Sequence, residues 1–247
     1  MKVKSVLAAL LLLWAGLQTA WAQKVVLRLT NNEVLKYNVE QVESITFEED
    51  DELHEYVDLG LPSGTLWATC NVGAESPEEY GFYFAWGGVR PKTEFSWSTY
   101  EHGISGDLTK YCTDSYYGKV DNKTELEPVD DAAAVNWGSG WQIPSNEQFE
   151  ELLNNTNTTI TWTTQNDVKG RLVISKKNGN SIFLPAAGWC NNTRFYGSGT
   201  DGRYWSRSLI SNYSTYGRSQ NFYSSSIYMT DDARYEGHSV RPVRVKK

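Results

Sequence analysis

Nine residues late in the chain carry recognition chemistry at close spacing: Arg207, Tyr213, Tyr216, Arg218, Tyr223, Tyr228, Asp231, Asp232 and Tyr235. A phenol ring supplies broad contact area at small entropic cost and adds a hydroxyl, and Ser and Asn adapt their hydrogen bonds to what they meet. Arginine adds planar stacking and two-pronged bonds to carboxylates. Between Arg203 and Ser239 there are six Tyr and nine Ser among 37 residues, and no Lys. Buried sheets favour Val, Ile and Leu, and solvated faces favour Lys and Glu. This segment follows neither pattern, and it reads as an exposed recognition face for a protein or glycan ligand. The bland alternative is a Tyr-rich hairpin that covers the core. Asp231 and Asp232 either meet basic groups on a partner or form a solvated turn.

Groups that could do catalysis are not arranged for it. His54, His102 and His238 are scattered, with no H-E-x-x-H and no metal-ligand spacing. Gly60-Leu61-Pro62-Ser63-Gly64 has the wrong order for a nucleophile elbow. The glycines from Gly197 to Gly202 lack the Lys and helix context of a phosphate loop. Asp130 and Asp131 stand just before AAAVNW, where carboxylates cap a helix start. Cys70, Cys112 and Cys190 have no C-x-x-C spacing, so zinc is not indicated. They are either core residues or one disulfide plus a spare thiol. No cofactor and no metal is expected. An unrecognised hydrolase stays open as an alternative, with Asp130 as the carboxylate to test.

The chain around these groups has 247 residues, enough for one medium domain and a small appendage. Residues 1–22 have a basic start (Lys2, Lys4), an apolar stretch from Val6 to Leu17 and Ala20-Trp21-Ala22, the pattern of a secretory signal peptide. Gln23 rather than Cys follows, so nothing marks a lipid anchor. Without that segment 21 basic residues face 30 acidic ones, a net charge of −9. Such a chain has no electrostatic reason to seek nucleic acid or anionic lipid. No other apolar run approaches the ~18 residues of a spanning helix, so no membrane span is expected. Export to the periplasm, the outer surface or the medium follows from the signal peptide.

Residues 23–49 predict a small β leader: KVVLRLT, a turn at Asn31-Asn32, EVLKYNV, a helical turn, and a third strand ending at Phe47. Residues 50–55 belong to an acidic linker, because clustered carboxylates repel one another. The rest, 56–247, predicts an α+β module. Five aromatics between Tyr80 and Trp86 predict a core strand. The polar stretch from Pro91 to Lys123 is long for a bare connection and should carry local structure or function. Ser145 and Gln148 form a capping box for a helix with Phe149, Leu152 and Leu153 on one face. Short strands follow, with a hairpin turn at Asn178-Gly179. Ile227 and Met229 alternate with Tyr228, as in a strand with one buried face.

Six blocks then occur in a telling order: YVDLGLPSGTLWATCNVG, EEYGFYFAWG, DDAAAVNWGSGWQIPSNEQFEELL, SKKNGNSIFLPAAGW, YWSRS and GHSVRPVR. Together, from Tyr56 to Arg244, they resemble the Fibrobacter succinogenes major paralogous domain, a family of exported bacterial domains. The resemblance implies a C-type lectin-like fold, similar also to formylglycine-generating enzymes, with two helices and short, mostly antiparallel strands. Gln142, and Gly88-Val89, depart from the pattern in place of Arg and Glu-Thr. The paired late cysteines of the formylglycine-generating relatives are missing, since no Cys follows Cys190. Glu127-Pro128-Val129 breaks the lectin calcium motif, so calcium-dependent sugar binding is not implied. The chain's end also looks like the variable region of retroelement-diversified receptors, whose altered Asn codons yield Tyr, Ser, Thr, Asp or Ala. Tyr213, Tyr216, Ser219, Tyr223, Tyr228, Thr230, Asp231, Asp232, Ala233 and Tyr235 match that alphabet, and Glu236 departs from it. The expectation is an exported, non-catalytic binding module, with a structural role in the cell envelope as the alternative. If so, changing Tyr223 and Tyr228 to Ala weakens binding without unfolding the domain.

Overall fold

Alternation of side chains along short strands builds most of this molecule. The computed structural model describes residues 24–28, 33–43, 54–210 and 212–245. The signal-peptide segment, the Asn31-Asn32 turn, the third leader strand and most of the acidic linker lie outside the described residues. Two compact units divide at Glu48 and Glu49. In the first, β1 (Lys24–Arg28) pairs antiparallel with β2 (Val34–Asn38). The register sets Val25 opposite Tyr37 and Leu27 opposite Leu35, so one face of this ribbon is apolar. A 3-10 turn, Val39–Gln41, follows.

The second unit is mostly β, with two short α-helices, and so fits the α+β expectation at that level. Helix α1 (Ala132–Trp137) starts at Asp131, whose side chain accepts from the amides of Ala133 and Ala134 and also from Ile143 across the following turn. Helix α2 (Asn146–Leu153) carries the expected capping box of Ser145 and Gln148, and Asn154 ends it. It buries Phe149 and Leu152, with Leu153 only half-buried. Strands β3 (Tyr56–Asp58), β4 (Thr65–Ala68) and β17 (Val243–Val245) form one sheet, which joins the start of the unit to its end. Strands β8 (Thr158–Gln165), β9 (Val168–Ser175) and β10 (Ser181–Pro185) form a meander, turning at Asn178-Gly179 as the sequence predicts, and the antiparallel pair β11 (Trp189–Asn191) and β12 (Arg194–Tyr196) follows.

The central sheet has five strands. β13 (Gly202–Leu209), β14 (Tyr216–Phe222) and β15 (Ile227–Ala233) run antiparallel in chain order. Beside β13 lie β16 (His238–Ser239) and β5 (Tyr83–Phe84), giving the order β15-β14-β13-β16-β5. Both faces of this sheet carry a core. Tyr204 and Phe222 pack with Trp67, Phe149 and Leu184 on the face covered by α2. Trp205 points the other way and packs with Phe84, Trp86, Trp141 and Val240. Each fully buried aromatic contributes about 1.5–3 kcal/mol. Gly217 serves the second layer: a Cβ there would stand 2.5 Å from the Trp86 ring. Cys112 and Cys190 are buried and Cys70 is half-buried, all three free. Among the described residues no helix is long and apolar enough to cross a membrane.

Two buried arginines tie separate segments with no carboxylate partner among the described residues. Arg241 donates to Asn71 Oδ1 and to the carbonyls of Ala68, Thr69 and Phe183. Arg234 donates to the carbonyls of Lys110, Tyr111 and Ser214 and to the Tyr100 hydroxyl. Its guanidinium lies 4.7 Å from the centre of the Trp86 ring and 5.2 Å from that of Tyr100, which replaces lost hydration with aromatic faces.

Candidate ligand-recognition surface

The nine residues singled out from the sequence do not share one face. Strand alternation and the β14–β15 register put Tyr216, Arg218 and Asp231 on the α2 side of the sheet and Tyr228 and Asp232 on the opposite side. The physical reason is that β13 and β14 are buried on both faces, so the segment has no free flat side. Among the described residues from β13 to β15, the exposed positions lie in the turns, at the start of β14 and on the edge strand β15.

Arg207 belongs to the frame. It sits in the irregular stretch of β13 between Trp205 and Leu209, pairs with Glu125 at 3.1 Å, and donates to Gln142 Oε1 and the Leu126 carbonyl. Asp232 is similarly engaged: Arg203 reaches it at 3.0 Å, and Ser219 and Asn221 donate to its other oxygen. Tyr235 packs on Trp97, and its oxygen accepts from Asn191. Tyr223 is half-buried beside the exposed Tyr228, their ring centres 6.5 Å apart. Burial raises the Tyr228 pKa first, and Tyr223 adds to the shift. Arg218 is held by Asn146 Oδ1 at 3.0 Å and Asp231 at 2.6 Å. The exposed recognition face predicted for all nine therefore reduces to Tyr213, Tyr216 and Asp231 at one end, and Tyr228 on the other side.

At that first end the fold adds residues the sequence reading passed over. Tyr213 and Tyr216 close a turn through the bond from the Tyr216 amide to the Tyr213 carbonyl, while Ser214 and Thr215 between them are buried. The turn is fixed from below. Arg234 donates to the Ser214 carbonyl with its guanidinium and to the Thr215 carbonyl with its amide. The Thr113 amide donates to Ser214 Oγ at 3.0 Å, which brings in the loop 111–123. In that loop Asp114 receives the Tyr116 amide on its side chain and the Tyr117 amide on its carbonyl. Asp121 accepts from the amides of Tyr111, Cys112 and Lys123. Partial burial would raise the Asp121 pKa, but these three amides outweigh it and hold the group below the ordinary 3.8.

The Thr113–Ser214 bond thus brings the segment that carries Tyr116 and Tyr117 to the turn of Tyr213 and Tyr216, about a hundred residues away. The Tyr116 ring stands on the Tyr117 ring at 5.1 Å, and Tyr117 lies within electrostatic reach of Tyr213 and Tyr216. Tyr116 is 79% exposed, Tyr213 57% and Tyr216 41%. Among the described residues none of the four hydroxyls has a hydrogen-bond partner. The structural tyrosines differ: the hydroxyls of Tyr83, Tyr100, Tyr111 and Tyr204 donate to Ala187, Trp86, Asp130 and Pro185. Ile210, Tyr213, Tyr216 and Asp231 line an open cavity of about 270 Å³ at this patch. One sequence cue pointed here: the stretch from Pro91 to Lys123 shares the Tyr, Ser and Gly bias of the chain's end. Local structure is also present there, as a 3-10 turn at Trp97–Thr99 and the strand pair β6 (Gly103–Ile104) and β7 (Asp107–Leu108).

Two clusters of ionisable groups serve other ends. Asp232, Glu236 and His238 offer ligand atoms within 4.8 Å of one another, an arrangement the sequence spacing hid. Arg203 fills it, at 3.0 Å from Asp232 and 3.6 Å from Glu236, while its guanidinium lies 4.0 Å from the centre of the Trp189 ring. A permanent positive charge at the carboxylates opposes a divalent cation there, so the residues do not fit a metal. Asp130 accepts from Tyr111 at 2.6 Å and from Lys110, and lies 3.9 Å from His102 Nε2. Burial, with Asp130 adding to it, pushes the Tyr111 pKa up to about 12, and burial pulls His102 down. This keeps the phenol protonated and donating, which suits holding the loop rather than activating a nucleophile. In comparisons with known proteins the chain matches no family model, no curated protein and no solved structure.

Proposed function

We propose that this chain is an exported, non-catalytic binding module in which a C-type lectin-like frame of the major paralogous type presents a tyrosine patch to a protein or glycan ligand. The observation that carries the reading is the group Tyr116, Tyr117, Tyr213 and Tyr216. Tyr213 and Tyr216 line a cavity, Tyr117 from a distant loop lies within electrostatic reach of both and carries Tyr116 against its ring, and among the described residues the four hydroxyls have no hydrogen-bond partner. The loops beneath them are pinned by Arg234 and the Thr113–Ser214 bond, so little entropy is lost when a ligand meets them. Rigid aromatics on a fixed frame are what recognition surfaces use. The diversified-receptor reading fits Tyr213, Tyr216, Tyr228 and Asp231, which are exposed, and fits Ser219 poorly, because it is fully buried. The test is capture from envelope and glycan fractions by the purified protein and by a Tyr213→Ala/Tyr216→Ala variant of unchanged melting temperature. Ligand retained by the first and lost by the second supports the reading; equal retention removes it.

A second reading, assembly within the envelope, rests on the leader ribbon. Leu27 and Tyr37 on its apolar face are exposed, and a two-stranded ribbon is marginal alone. Self-association that survives loss of the tyrosine patch and disappears with Leu27→Ser/Tyr37→Ser favours it.

A further inference from the structure

We propose that the cavity bounded by Ile210, Tyr213, Tyr216 and Asp231 takes a lysine or arginine side chain of a partner protein. This rests on the reading above that the tyrosine patch is the recognising surface, and it names the chemistry the patch selects. The cavity volume, about 270 Å³, falls just under the ~300–1,000 Å³ typical of small-molecule pockets, so it suits one long side chain better than a drug-sized molecule. Among the described residues its walls are one aliphatic and two aromatic side chains, with a single carboxylate. A basic side chain has the matching anatomy, an apolar stem that lies along such walls and a cationic head for the carboxylate and the ring faces.

Asp231 already shows the required behaviour. Its Oδ1 accepts from the Arg218 guanidinium at 2.6 Å, while its side chain remains 41% exposed. Its Oδ2 has no partner among the described residues and is left for an incoming donor. Arg218, the cation on the strand itself, bridges Asn146 Oδ1 at 3.0 Å and Asp231 Oδ1 at 2.6 Å, so an incoming cation shares the carboxylate with it through Oδ2 or displaces it. A neutral sugar would find aromatic faces here too, but it would gain nothing from the carboxylate's charge.

The experiment uses the purified full chain and two fluorescein-labelled peptides, one of alternating arginine and glycine and one with citrulline, a neutral isostere, in place of arginine. Anisotropy is read at low and moderate salt. The expected result is that the arginine peptide binds at least tenfold more tightly than the citrulline peptide and weakens with salt. Asp231→Asn is expected to lose at least fivefold. Arg218→Gln, which removes the internal competitor, is expected to gain about threefold or more, and it keeps the test informative should Asp231→Asn disturb the strand. Equal binding of the two peptides, or no binding of the arginine peptide at millimolar concentration, overturns the proposal. Arginine-peptide binding indifferent to Asp231→Asn and to Arg218→Gln also overturns it. Capture of a neutral glycan that depends on Tyr213 and Tyr216 but not on Asp231 keeps the surface and rejects the basic ligand. Binding that ignores all of these side chains rejects both.

Discussion

Replacing Arg234 by Met removes the pin under the tyrosine patch, and the consequence can be worked out. The guanidinium donates to three carbonyls, those of Lys110, Tyr111 and Ser214, and to the Tyr100 hydroxyl. Tyr100 keeps a partner, because it still donates to the Trp86 carbonyl. Among the described residues the three carbonyls have no other donor, and an orphaned buried acceptor costs about 1–3 kcal/mol. Removing a buried charge returns part of its desolvation cost, and Met recovers some packing against Trp86 and Tyr111. The net expectation is about 3–4 kcal/mol of destabilisation, or a melting temperature lower by roughly 6–16 °C for a unit of this size. Arg234→Lys retains the charge without the planar fork and should fall between the two. The assay is thermal unfolding by circular dichroism, with amide exchange followed in residues 110–117 and 213–216. Exchange should rise first in those two stretches. A melting temperature within 2 °C of the parent, or exchange that rises elsewhere while these stretches stay protected, would refute the pinning argument.

Other consequences follow from the same geometry. Gly217→Ala pushes a methyl into the Trp86 ring, 2.5 Å away, and should cost about 1–3 kcal/mol, measured by urea unfolding. Asp121 has a folded pKa below its ordinary 3.8, so its stabilisation is fully present at neutral pH and is lost as pH falls through the folded value. Protection of the Tyr111 and Cys112 amides, relative to their intrinsic exchange, should therefore fall as acidification passes through that folded value and be restored on neutralisation. Zinc should leave the melting temperature unchanged, because Arg203 already neutralises Asp232 and Glu236; a rise that is lost in Asp232→Asn would show a metal site after all.

Local chemistry was legible in the sequence wherever the deciding partner is a near neighbour. Ser145 and Gln148 cap α2, Asn178-Gly179 turns the hairpin, and Ile227 and Met229 face inward while Tyr228 faces out. What alternation cannot tell is whether the second face of a strand is also covered. Residues 80–143 bring Phe84, Trp86 and Trp141 onto the Trp205 side, and that burial splits the tyrosines into two groups. Arginines illustrate the same limit. Arg207 reads as a recognition residue in a Tyr- and Ser-rich run, yet it is a frame residue, because the carbonyl, amide and carboxylate it meets come from residues 125–142. Tyr116 and Tyr117 join Tyr213 and Tyr216 only through the long-range Thr113–Ser214 and Arg234 bonds, which no spacing announces.

The most direct test compares equal losses on the two sides of the sheet. Tyr213→Ala/Tyr216→Ala and Tyr223→Ala/Tyr228→Ala each remove two phenols, and both variants are measured against the same captured ligand at matched stability. Loss of a central aromatic anchor costs about 2 kcal/mol or more, roughly 30-fold in affinity. The first variant should lose at least that much and the second less than twofold. A large loss from the second variant with none from the first would contradict the account and return recognition to the opposite face of the sheet.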